Sequence, residues 1–393
     1  MNVGERGPET GDGGALKFQS RMPASTLCAS NMNNPKPPLV VALDAAHSRQ
    51  SNAGVARYGR SLAAALARHD EISVIELGGG DVASRGTIAK RALTLRQDFI
   101  WYPWLGRRRA RRAGADIYHV PIPRGPMTCG KPSLVLTVHD LVPLLFPGTM
   151  TPWSRVHSRL TLRRTLDAAD RIITPSRDTA DDLESLLGIS SSRIRVVHNG
   201  VDDLFFGTPD QRVNLAGSES LEGQDPYVLF VGTPEPRKNL DRLRSAMVLL
   251  RQRGFRERLV IAGAGGWGTA GVDGQHAALV QRVGRVSDRD LHALYANASC
   301  VALPSLHEGF GLTALEAMAS GAPVVAANAG ALPEITGGAA ILVDPLDASD
   351  IAEGLARCIG EREVLAAAGR ARAGQFTWPR AAEETIAVYR ELV

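Results

Sequence analysis

Short apolar runs recur from residue 39 to residue 345 with helix-like stretches between them, and few folds accept that alternation. LVVALDAA (39–46), EISVIEL (71–77), ADIYHVP (115–121), SLVLTVHDLVPL (133–144), RIITPS (171–176) and RIRVVHN (193–199) make a first series. YVLFVG (227–232), ERLVIAG (257–263), LVQRVGRV (279–286), SCVALP (299–304), APVVAAN (322–328) and AAILVDP (339–345) make a second. Several of these runs are apolar throughout, which suits strands buried on both faces of a parallel sheet. Helical periodicity fills 54–68, 151–169 and 177–187, and further helices begin near Lys238, Asp288, Leu312, Leu332 and Ala348. Between the two series GTPDQRVNLAGSESLEGQDP (207–226) loses apolar content and gains turn formers, as a linker does. The expectation is an α/β chain of two doubly wound domains facing a cleft, with ligands held just past the strand C-termini.

Residues 304–321, PSLHEGFGLTALEAMASG, follow such a strand and place Glu308 and Glu316 seven residues apart. On a helix from Leu312, the residues Leu312, Leu315, Met318 and Ala319 share one face, and Glu316 falls on its flank. A carboxylate there costs several kcal/mol, roughly, unless a polar group satisfies it, so a polar ligand is a natural partner. Gly309 and Gly311 let helix-start amides approach an anion. The alternative is a surface helix with solvated glutamates. In VGTPEPRKNL (231–240), Arg237 and Lys238 stand between a strand and a helix, as a diphosphate site requires; a solvated basic loop is the competing reading. His139 and Asp140 end a strand of the first series, where they could face the cleft, although a lone histidine is more often a satisfied structural residue. Gly54 opens the helix after the first strand, as a ligand contact or a simple turn glycine.

Two further matches are set aside. Gly263, Gly265 and Gly268 have dinucleotide-fingerprint spacing, but GWGTAGVDGQ does not open a helix. Asp288 and Asp290 form a D-x-D, yet Ser287 before them reads as a helix cap. In FIWYPWLGRRRARR (99–112), aromatics precede five arginines, Arg107, Arg108, Arg109, Arg111 and Arg112, a composition suited to an anionic lipid surface. A solvated loop or a nucleic-acid patch is the alternative.

The net charge of +4 makes a polyanion partner depend on such clustering. Cys28, Cys129, Cys300 and Cys358 are widely spaced, so neither a disulfide framework nor a zinc motif is indicated, and a reducing compartment fits. With no apolar run of membrane length and no signal-peptide pattern, a cytoplasmic protein is expected. Residues 1–37 are rich in Gly, Pro, Ser and Asn, which predicts disorder, with Met32 a possible true start.

Taken in order, Gly54 with Tyr58, HD (139–140), TPS (174–176), HNGVD (198–202), GTPEPRKN, GRVSDRDLHALYANA, EGFGLTALEAMASG and GALPE (330–334) resemble retaining glycosyltransferases of the GT-B fold, group 1 or family 4. The resemblance runs from Pro38 to the end, and within the group VGTPEPRKN looks most like mannosyl- and rhamnosyltransferases of polysaccharide assembly. It implies an acceptor domain at 38–206, a nucleotide-sugar domain at 227–375 and a last helix, 376–393, crossing back to the first domain. It implies that Glu316 holds the ribose, Glu308 the sugar hydroxyls, Arg237 and Lys238 the diphosphate, and the amides of Gly309, Phe310, Gly311 and Leu312 its oxygens. His139 would line the reaction centre, with Gly54 across the cleft. No metal and no cofactor beyond the nucleotide sugar is implied. The partners are a glycan or lipid-linked acceptor and, through the arginines, the inner face of a membrane, with no nucleic acid. Rival readings are a glycan synthase or sugar-phosphate transferase on this fold, or a binding protein without turnover.

Overall fold

The computed structural model describes residues 37–46, 54–78, 93–146, 148, 152–209, 226–265 and 279–393, with backbone only at 152–159. Most of the expected extension at 1–37, most of the stretch 207–226, and Gly268 lie outside the described residues. All twelve apolar runs contain strands. The first six are β1 (Leu39–Asp44), β2 (Ile72–Leu77), β3 (Ile117–Val120), β4 (Ser133–Thr137), β5 (Arg171–Thr174) and β6 (Ile194–Val196). They form one parallel sheet in the order β2-β1-β3-β4-β5-β6. The second six are β7 (Tyr227–Val231), β8 (Arg258–Ala262), β9 (Val280–Gly284), β10 (Cys300–Leu303), β11 (Val324–Ala327) and β12 (Ile341–Val343). They form a second parallel sheet in the order β12-β11-β10-β7-β8-β9.

The helices of the first half are α1 (Gly54–Leu66), α2 (Gly106–Arg112), α3 (Val142–Leu145), α4 (Pro152–Ala168) and α5 (Arg177–Leu187). Those of the second are α6 (Leu240–Gln252), α7 (Asp288–Asn297), α8 (Leu312–Ala319), α9 (Leu332–Thr336), α10 (Ala348–Gly360), α11 (Arg362–Ala373) and α12 (Trp378–Arg390). Apolar residues cover both sheet faces because alternate strand residues enter different cores. Tyr227 and Leu229 join one cluster, whereas Val228 and Phe230 join the other. In the first sheet Val41, Ile117 and Val135 face a layer built from α1 and α12, where Leu62, Ile386 and Tyr389 are sealed from solvent. Thr377 caps α12 by accepting from Arg380 N, and Glu391 just beyond it pairs with Arg171 and Arg195 of the first sheet. The chain enters the second core earlier than the linker pattern suggests: Val201 and Phe205 are buried with Leu294 and Tyr295, ahead of residue 206.

Each sheet has a point where strand order reverses, between β1 and β3 in the first and between β7 and β10 in the second. Crevices past the strand ends open at such points. The loop after β7 carries Arg237 and Lys238, and the loop after β10 carries Glu308, so strand order alone makes these two loops neighbours.

The aromatic and arginine-rich stretch is ordered as a wide helical turn, Gln97–Leu105, running into α2. Arg107 is a correction to the sequence expectation. Its guanidinium is buried and donates to the carbonyls of Thr128, Gly130 and Pro132, so it ties loops together and is not offered to a lipid surface. Arg108, Arg109, Arg111 and Arg112 are exposed. No helix among the described residues is long and apolar enough to cross a membrane.

Candidate active site

Asn239 sets the geometry of the β7 loop. It holds a left-handed backbone, φ 59°, and its side-chain amide donates to the carbonyls of Pro304 and Pro345. Asparagine tolerates that conformation better than other residues with a Cβ. The turn before it thereby projects Arg237 and Lys238 at the β10 loop. Lys238 Nζ lies 2.5 Å from Glu308 Oε1, and Arg237 Nη1 lies 3.0 Å from Oε2. Arg237 also donates to the His307 carbonyl at 2.6 Å. Burial alone would raise the Glu308 carboxyl, but Lys238 and Arg237 together outweigh it and hold it down at about 2. The two cations expected to meet a diphosphate are thus held in place by a carboxylate.

Glu316, on α8, has the opposite environment. It is 4% exposed, and burial pushes its carboxyl up to about 7, with the Arg57 charge and a hydrogen bond from Tyr295 Oη at 3.1 Å pulling only part of the way back. Arg57 comes from α1, under the first sheet, and its guanidinium bridges Glu316 and Asp288, the latter at 2.7 Å. The proposed ribose ligand is therefore held by an arginine from the opposite domain. Ser287 caps α7 by accepting from Asp290 N, so the D-x-D is a helix start, with Asp288 turned to Arg57.

Beside Arg57 and Asp288 lies a cleft of about 480 Å³, lined also by Arg60, Gly232, Gly263, Arg285 and Ser287; Arg237, Lys238, Glu308 and Glu316 are not part of its lining. That volume falls in the range of small-molecule sites. Gly263 of the rejected fingerprint is needed for packing instead: a Cβ there would lie 2.2 Å from the Gly232 carbonyl oxygen.

The loop before α8 touches the first domain directly. A Cβ on Gly309 would lie 2.0 Å from the His139 carbonyl oxygen, so only glycine fits, and Ser176 Oγ donates to Gly309 O at 2.7 Å. Gly311 takes a left-handed φ of 96° at the start of α8, with Leu312 as the first helical residue. Phe310 is buried near Phe376 and His198. His139 donates from Nε2 to the Pro121 carbonyl at 3.0 Å and meets the Tyr58 ring edge-on, with centroids 4.7 Å apart. Gly54 opens α1 at the surface. The structure thus brings Arg237, Lys238 and Glu308 together, with His139 against the same loop, while a Cβ on Gly54 would meet open space. Sequence reasoning missed Arg57 and Tyr295. Arg57 stands between Gly54 and Tyr58, both singled out in the sequence, but its partner is 259 residues away.

Residues 52–203 match the model of Glycosyltransferase Family 4, and residues 225–361 match that of group 1 glycosyl transferases. The chain is 33% identical over 269 residues to the O-antigen chain mannosyltransferase B of Escherichia coli, a match covering 66% of this chain and 70% of that one. The chain belongs to the group 1 and family 4 glycosyltransferases. This glycosyltransferase is also 37% identical over 247 residues to a D-inositol 3-phosphate glycosyltransferase of Kribbella flavida, spanning 57% of each chain. Its fold matches the sucrose-phosphate synthase of Thermosynechococcus elongatus with a TM-score of 0.66 at 22% identity, covering 90% of this chain and 99% of that one. The two Rossmann-like sheets are those of the GT-B fold.

Proposed function

We propose that this glycosyltransferase moves a hexose, mannose or rhamnose favoured, from a nucleoside-diphosphate sugar to a glycan or lipid-linked acceptor, with retention at the anomeric carbon. The observation that carries the reading is the Lys238–Glu308–Arg237 cluster in the crevice of the second sheet, with Glu316 on α8, the helix that follows the Glu308 loop. In this reading Glu316 holds the ribose and Glu308 the sugar hydroxyls. Arg237 and Lys238 stabilise the charge that grows on the departing diphosphate, which is where a preorganised site contributes most. The amides of Gly309 to Leu312 add to them, and His139 borders the reacting sugar. As the bond from anomeric carbon to phosphate oxygen breaks, the acceptor oxygen bonds to the same face, and its proton passes to that phosphate oxygen. The reaction draws on these cations in place of a metal ion.

An exposed patch supports a lipid-linked acceptor at the inner face of a membrane. Phe99, Ile100 and Trp104 are more than half exposed, and Arg108, Arg109, Arg111 and Arg112 lie just after them. Apolar side chains beside arginines suit an anionic interface.

Calorimetry with UDP, GDP, dTDP and ADP tests the donor site. One of the four binds the parent, and Glu316→Ala weakens it about tenfold, the value of one charge-assisted hydrogen bond. If none of the four binds, the donor-site assignment fails.

A further inference from the structure

Asp178 and Asp182 lie four residues apart on α5, so both carboxylates project from one helix face. That face meets His307, the residue before Glu308 in the loop of the other domain. His307 Nε2 is 3.8 Å from Asp182 Oδ2, and Nδ1 is 4.0 Å from Asp178 Oδ2. These are too long for hydrogen bonds. The Oδ2 atoms of both aspartates and Nε2 of the histidine are sealed from solvent with no hydrogen-bond partner among the described residues, and His307 is 8% exposed. One ligand atom from each of the three lies within 4.8 Å of the others. Burial holds both aspartate carboxyls above their ordinary range, with His307 pulling the other way. Buried polar atoms left unmatched in this way call for an explanation, an absent ion among them.

We propose that Asp178, Asp182 and His307 bind a divalent cation of the zinc class that pins α5 of the first domain to the donor loop of the second. One imidazole and two carboxylates are a borderline donor set that zinc accepts, with water completing the shell. Zinc bonds of about 2.0 to 2.2 Å set ligand atoms roughly 3.3 Å apart in a tetrahedron, so side-chain rotations of well under 1.5 Å close the site. The ring is already steadied by Phe146, whose centroid is 6.2 Å away, and the His307 carbonyl is held by Arg237. The cation touches no reacting group. It fixes the loop that carries Glu308 against the first domain. This inference goes beyond the donor-site reading and does not depend on it.

Untagged full-length protein, stripped with chelator and returned to metal-free buffer near neutral pH, tests it by titration with Zn²⁺. The melting temperature rises and saturates at one equivalent, and Co²⁺ in place of zinc gives a visible absorption band. Asp182→Asn and His307→Gln each lose both responses while keeping the parent's circular dichroism. No zinc response in the parent overturns the proposal, as does an equal response in the double variant Asp178→Asn/Asp182→Asn.

Discussion

Replacing Glu316 with glutamine removes a carboxyl that folding moves from the usual 4.5 to about 7. Between those values the folded chain keeps a proton that the unfolded chain has lost, so stability falls as pH rises through the window. At 1.36 kcal/mol per unit, the span amounts to about 3 kcal/mol. Glutamine has no such dependence and keeps the parent's shape. The parent's stability minus that of Glu316→Gln is therefore expected to drop by about 3 kcal/mol from below pH 4.5 to above pH 7. Urea unfolding of both proteins at matched pH values measures the difference. Glu308 titrates far below this window and is present in both, so it cancels. A difference that stays level would refute the reasoning. One that rises with pH would show that the Arg57 pair outweighs burial and keeps Glu316 ionised.

Arg57→Met frees Glu316 from the guanidinium that competes with a ribose, so nucleoside diphosphate affinity is expected to rise about tenfold by calorimetry; a fall would make Arg57 a ligand instead of a competitor. Lys238→Ala should lower turnover by about two orders of magnitude and weaken the donor less, because its contact strengthens in the transition state. Glu308→Gln should leave free nucleoside diphosphate binding nearly unchanged while transfer falls by a similar factor; equal losses in both assays would contradict the assignment of Glu308 to the sugar. Arg107→Ser leaves three carbonyls short of a donor and should cost about 3 kcal/mol in urea unfolding. Serine at Arg108, Arg109, Arg111 and Arg112 should spare stability yet weaken sedimentation with anionic vesicles, increasingly so as salt falls; equal sedimentation of variant and parent removes the membrane proposal.

The strands were legible because a strand buried on both faces must be apolar nearly throughout, and LVVALD or YVLFV has no other good use. Helix starts were legible where a cap residue stood before them, as at Ser287. The pairing of Arg57 with Glu316 was not, since local sequence carries no record of which charge crosses a cleft. Arg107 shows the same limit: five arginines look alike in sequence, and only the phase of α2 decides which one turns inward to backbone carbonyls. The spacing of Asp178 and Asp182 is visible in the sequence, but the arrival of His307 against them depends on how the two sheets face each other. Helix α11 was passed over because alanine and arginine fill it, with few large apolar residues to mark a stripe.

The return of α12 to the first sheet has a consequence for synthesis. About 180 residues separate the end of β6 from the start of α12, yet Tyr389 bonds His119 and Ile386 lies in the same core as Val41. At typical ribosomal rates of about 5 to 20 residues per second, the first sheet waits roughly ten to forty seconds with one face uncovered. Throughout that time Leu62 and its neighbours are exposed to the nascent second half, to other chains and to chaperones. The two halves cannot mature one after the other, and the last helix to leave the ribosome completes the domain that was begun first.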